Sequence, residues 1–93
     1  MLQEPAGDLS IAAALLSSFR DLRIEPGTLI LGEVGLAGEV RAVGQIEQRL
    51  AEAAQLGFTR CVLPAGNKSR LRSPPLAVHG VSTLGEAMEV LFA

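Results

Sequence analysis

The chain contains no tryptophan and no tyrosine, and only one cysteine, one histidine and one lysine among its 93 residues. Each scarcity removes a class of chemistry. Cys61 alone can form no intrachain disulfide and no cysteine-based metal site, which suits a reducing compartment. Its neighbours, Arg60 and Val62-Leu63, read as a buried strand, so the thiol is expected to be an inert core group. His79 has no Cys, His or carboxylate partner nearby in sequence, and a structural or exposed position is expected for it rather than a ligand role. The first residues, Met1-Leu2-Gln3-Glu4-Pro5, lack the basic stretch of a signal peptide. The longest clean apolar run, Ile11 to Leu16, is far too short for a membrane span, so a cytoplasmic protein is expected.

What is present is aliphatic. Hydrophobic residues make up 48% of the chain and charged residues 19%, with a mean hydropathy of +0.35. A domain this short has little interior. An exposed apolar patch is therefore expected, to be covered by another subunit or by further polypeptide. Net charge is −2, which excludes the global basic bias of an autonomous nucleic-acid binder. Four of the eight basic residues nevertheless fall in one stretch: Arg60, Lys68, Arg70 and Arg72. That stretch is either a phosphate-contacting surface or simply a solvated loop.

The periodicity predicts three helices. Asp8 is a candidate N-cap for the first, over Leu9 to Phe19, with Leu9, Ala12, Ala13, Leu16 and Phe19 or Arg20 on one face and Ile11 and Leu15 widening it. Gln45 to Leu56 forms the second, with Ile46, Leu50, Ala53 and Ala54 inward and Gly57 as the stop. Thr83-Leu84-Gly85-Glu86 has the form of a capping box and opens the third, with Leu84, Ala87, Met88 and Leu91 inward. Strands are predicted over Thr28 to Leu31, Arg60 to Pro64 and Leu76 to Val81. The glycines of Gly32-Glu33-Val34-Gly35-Leu36-Ala37-Gly38-Glu39-Val40 suit a bent strand pair. Ala65 to Pro75 reads as a loop. The run Gly66-Asn67-Lys68-Ser69 is the nearest approach to a phosphate loop, but the extra Asn breaks the motif and nucleotide binding is rejected. The result is a single domain over residues 1–93 of α/β (α+β) class, with three helices on a small mixed sheet. No strand precedes the first helix, so the chain reads as the second half of a domain.

Several long blocks carry a resemblance: Glu4-Pro5-Ala6-Gly7-Asp8-Leu9, then Gly32 through Arg41, then Val43-Gly44-Gln45-Ile46-Glu47-Gln48-Arg49-Leu50 and Glu52 through Phe58, with Val62-Leu63-Pro64 and the Val81 to Ala87 ending. Together they resemble the C-terminal half of the Lon-protease proteolytic domain, in the form found at the end of the RadA (Sms) family of bacterial DNA repair proteins. The resemblance implies a ribosomal protein S5 domain 2-like fold. The Lon dyad is a Ser and a Lys, in which a lysine of lowered pKa takes the hydroxyl proton. The positions matching that dyad here are Ala6 and Glu47, and the one lysine, Lys68, lies elsewhere. The resemblance therefore implies a module without catalysis, cofactor or metal, belonging to a DNA-acting, ATP-binding parent with a separate ATPase domain. It further implies a homo-oligomer, hexameric in the full-length family, and weak DNA contact, with Arg41, Arg49, Arg60, Lys68, Arg70 and Arg72 as candidate contacts. Two other readings stay open. One is an atypical Lon-like peptidase using displaced residues such as Ser10 and Lys68. The other is a stand-alone dimerisation domain.

Overall fold

The computed structural model describes residues 5–92. After one 3-10 turn at Pro5–Gly7, the order is α1 (Asp8–Arg20), β1 (Thr28–Ile30), β2 (Glu33–Val34), β3 (Val40–Arg41), α2 (Ile46–Gln55), β4 (Arg60–Pro64), α3 (Ala65–Lys68), β5 (Ala77–Val81) and α4 (Leu84–Phe92). The main sheet has the order β1-β4-β5 and is parallel throughout, with Leu29 beside Cys61 and Cys61 beside Val78. β2 and β3 form a separate antiparallel pair. The expected single mixed sheet is thus two sheets. The glycines that suited a bent strand pair close a tight hairpin between its two strands, with Gly38 N–H donating to Gly35 O and Gly35 N–H to Glu39 O.

A parallel sheet needs cover on both faces, and alternation along the strands supplies it. Ile30, Val62 and Val81 point into one core with Leu9 and Ala13 of α1 and Ala87 and Leu91 of α4. Leu31, Cys61 and Leu63 point into the other with Leu50 of α2 and Leu76. The molecule is three layers: α1 and α4, the sheet, then α2. The hairpin caps the carboxyl end of the sheet. Val40 N–H donates to Ser82 O at 2.9 Å and Leu84 N–H to Gly38 O at 2.8 Å.

Three local expectations are corrected. Asp8 does not cap α1; it is the first residue of the helix, and its carboxylate accepts the Val34 N–H at 3.3 Å, tying α1 to the hairpin. Phe19 does not join the inner face; it is 88% exposed in the last turn of α1, two residues before the left-handed Asp21 that ends the helix. The stretch after β4 is not all loop, since Ala65–Lys68 makes one helical turn. The capping box holds: Thr83 Oγ1 accepts the Glu86 N–H at 3.1 Å, and the Glu86 carboxylate accepts the Ser82 and Thr83 N–H groups.

Candidate functional site

The two positions that the resemblance pairs as a dyad stand on different elements. Ala6 lies in the turn before α1 and is 6% exposed. Its carbonyl accepts the Gly32 N–H at 2.9 Å, and the Gly32 carbonyl accepts the Leu9 N–H at 2.9 Å, so this turn is stitched to the end of β1. Glu47 is exposed in the first turn of α2. It lines a cleft of about 260 Å3 with Leu50, Leu71, Arg72, Ser73, Pro74 and Pro75, and Ala6 is not part of that wall. Glu4, which opens the same sequence block, lies outside the described residues.

The loop before α2 is held by Asn67, which in the sequence stands out only as the residue that breaks a phosphate-loop motif. Asn67 is 5% exposed, the one buried polar side chain among the described residues. Its Oδ1 accepts the Val43 N–H at 2.8 Å and its Nδ2 donates to Val43 O at 2.9 Å. This pairing closes the loop before α2 onto α3, as a neighbouring strand would. The only signal in the sequence was a short polar residue in a glycine-containing turn, which is common in loops. Its partner lies 24 residues away and no local pattern reveals it.

The six basic candidates separate into bound and free. Arg41 pairs with Glu39 at 2.9 Å and with Glu33 at 3.7 Å. The guanidinium of Arg41, followed by the backbone N–H groups of Glu39 and Ala37, holds the Glu39 carboxyl below the usual range, and Arg41 is raised in turn. Arg60, at the amino end of β4, donates from Nε to Thr28 Oγ1 at 2.7 Å and meets Glu25 at 3.5 Å. Arg49 donates from Nε to Gly44 O at 2.9 Å, bracing the loop that Asn67 also holds. Lys68, Arg70 and Arg72 are exposed at the other end of β4, on α3 and the segment after it. The sequence cluster Arg60 to Arg72 is therefore divided: Arg60 is engaged at one end of the strand, and Lys68, Arg70 and Arg72 stand beyond the other with no ion-pair partner among the described residues.

Cys61 is fully buried, and burial pushes its thiol up to about 12, so it is not a nucleophile at neutral pH. His79 is exposed on β5. Among the described residues no group of three His, Cys, Asp or Glu side chains could hold a metal ion, and no helix is long and apolar enough to cross a membrane.

Comparison with known proteins places this architecture. The family described as subunit ChlI of Mg-chelatase matches residues 3–67. The chain belongs to the ChlI family. Curated relatives carry a second name. A DNA repair protein RadA from Halalkalibacterium halodurans is 48% identical over 96% of this chain and 20% of its own length. The RadA of Bacillus subtilis is 49% identical over 94% of this chain and 19% of its own length. That of Synechocystis is 52% identical over 70% of this chain and 13% of its own length. The chain thus spans about one fifth or less of the relatives it matches, and α1, the hairpin, α2 and β4 all lie within the ChlI match.

Proposed function

We propose that this ChlI-family chain is a Lon-like, non-catalytic part of a RadA-type DNA repair protein, serving assembly of copies and contact with the DNA backbone in the cytoplasm. The observation that carries the DNA half is the trio Lys68, Arg70 and Arg72, exposed together while Arg41 and Arg60 are neutralised by carboxylates of their own chain. A cation already paired and hydrogen-bonded gains little from a phosphate, because it must first give up its partner; a free one gains the full contact and releases counterions. The names of the relatives favour DNA as the polyanion. No phenylalanine lies in the segment that carries the trio: Phe19 is on α1, Phe58 in the connection between α2 and β4, and Phe92 at the end of α4. Contact would therefore be with phosphates, without base readout.

The absence of catalysis is supported at the atoms. The Ala6 methyl carries no nucleophile, and its carbonyl is engaged by Gly32. The rival pair, Ser10 and Lys68, stands on α1 and α3. α1 packs on the Ile30–Val62 face of the sheet, whereas α3 packs against Gly80 on the other face. This separation by the sheet favours the non-catalytic reading over proton exchange between that hydroxyl and that amine.

The test is fluorescence anisotropy of a labelled duplex oligonucleotide at low salt. Arg70→Ala with Arg72→Ala is expected to weaken binding by at least tenfold, and Arg41→Ala with Arg60→Ala by less than threefold. The reverse order would overturn the assignment. A serine-reactive fluorophosphonate addresses the peptidase reading: the wild-type chain is expected to stay unlabelled, whereas labelling abolished by Ser10→Ala would establish that rival.

A further inference from the structure

The cleft that holds Glu47 also holds one of the three cations proposed to meet DNA, and the two charges have opposite sign. One wall is the first half of α2, with Glu47 and the fully buried Leu50. The other is the segment after α3, with Leu71, Arg72, Ser73 and two prolines. Several ties hold these walls in place. The Asn67 clamp joins the loop before α2 to α3. Leu71 packs against the apolar cluster that contains Leu50. Arg70 N–H donates to Asn67 O and Leu71 N–H to Lys68 O, each at 3.1 Å, so hydrogen-bonded turns run on past the end of α3. A side chain at Gly80 would come within 3.0 Å of Lys68 Cδ and 3.1 Å of Ala65 Cα, so the bare glycine lets α3 lie against β5. Pro74 and Pro75 stiffen the rest of the wall, because the ring fixes φ. The backbones that carry Glu47 and Arg72 are therefore fixed relative to one another, and their exposed side chains share one small volume of water.

Neither charge is consumed elsewhere: among the described residues no ion pair includes Glu47 or Arg72. Arg72 is thus an intermediate case among the basic candidates. Arg41 and Arg60 meet carboxylates at 2.9 Å and 3.5 Å. Arg72 shares a cleft with a carboxylate that does not close on it. Opposite charges held just beyond contact in water still shift an equilibrium by about two- to fivefold, an effect that fades over a Debye length of about 10 Å at 0.1 M salt. A phosphate that approaches Arg72 meets the same carboxylate as a like charge. Glu47 therefore opposes the contact that Arg72 favours.

We propose that Glu47 is a built-in competitor for Arg72, a carboxylate placed to limit the affinity of this surface for DNA phosphates. The position that the resemblance matches to the dyad lysine thus acts through its charge on binding. This deepens the DNA contact of the proposed function and rests on it. A double-mutant cycle, read by anisotropy of a labelled duplex, tests it. Glu47→Gln keeps the side chain's shape and removes its charge. It is expected to tighten binding at low salt about two- to fivefold, with the gain shrinking as salt rises. Glu52→Gln makes the same change in net charge at a residue about 140° further around α2, where Glu52 lines a different groove. Its gain is expected to be less than half as large. In an Arg72→Ala background the gain from Glu47→Gln is expected to fall by at least half. A Glu47→Gln chain that binds no tighter, a Glu52→Gln chain that gains as much, or a gain that survives Arg72→Ala in full would overturn the competitor and leave DNA contact standing. If neither the wild-type chain nor Glu47→Gln bound the duplex at low salt, both readings would fall.

Discussion

Cys61 shows how one residue's surroundings decide its chemistry. A thiol raised to about 12 by burial is protonated across the physiological range. Native protein is expected to resist iodoacetamide at pH 8, and unfolded protein to react within minutes; mass spectrometry of the alkylated chain reads both. The sign of the linkage follows. The folded state holds this proton more tightly than the unfolded one, so the associated stability is complete below the unfolded value near 9.0 and is lost as pH rises toward 12. Glu39 behaves in the opposite sense. Its carboxyl is lowered by Arg41 and two backbone N–H groups, so the contribution to the hairpin is present above its unfolded value and disappears as pH falls through the lowered one. The Glu39 and Arg41 side chains are both about half exposed, and salt is expected to blunt that dependence. Ala6 and Glu47 differ as sharply in their surroundings: one is a buried methyl beneath a backbone stitch, the other a solvated carboxylate on a cleft rim.

Elements were legible where their signals were local. The apolar spacing of Ile46, Leu50, Ala53 and Ala54 marks the inner face of α2, and Leu50 and Ala53 are its buried residues. Thr83 and Glu86 announce the start of α4 because the capping box is contained in four residues. What could not be read depends on distance. Whether β4 and β5 pair in parallel turns on α3 and the segment after it, which a loop-like composition conceals. The Asn67 clamp joins positions 43 and 67, and no period connects them. Replacing Asn67 by alanine removes two hydrogen bonds and leaves Val43 N–H and O without these partners, a loss of about 1–3 kcal/mol. Urea denaturation is expected to show this as a lower midpoint. Leu50→Ala, at a side chain with no exposure, is expected to cost more, about 2–5 kcal/mol. The same spacing rule that worked for α2 failed at Phe19, because periodicity assigns a direction but cannot say where the sheet ends beneath a helix.

As a whole, the molecule has two cores sharing one short parallel sheet, and its outer faces are unlike. One exposes an apolar groove between α1 and α4; beyond the carboxyl end of β4 lie Lys68, Arg70 and Arg72, which have no ion-pair partner among the described residues. Folding divides the basic stretch seen in the sequence, because Arg60 lies at the far end of β4 against Glu25 and Thr28. The phosphate contacts proposed for Lys68, Arg70 and Arg72 make a quantitative expectation, since each released counterion contributes about −0.9 to the slope of log K against log salt on duplex DNA. The decisive measurement is therefore the salt dependence of duplex binding by the wild-type chain, followed by anisotropy from low to moderate salt. The account predicts weak binding with a slope of about −2.7, falling by about 1.8 in magnitude when Arg70 and Arg72 are both alanine. Binding that is tight and indifferent to salt, or a slope that the double substitution leaves unchanged, would contradict it.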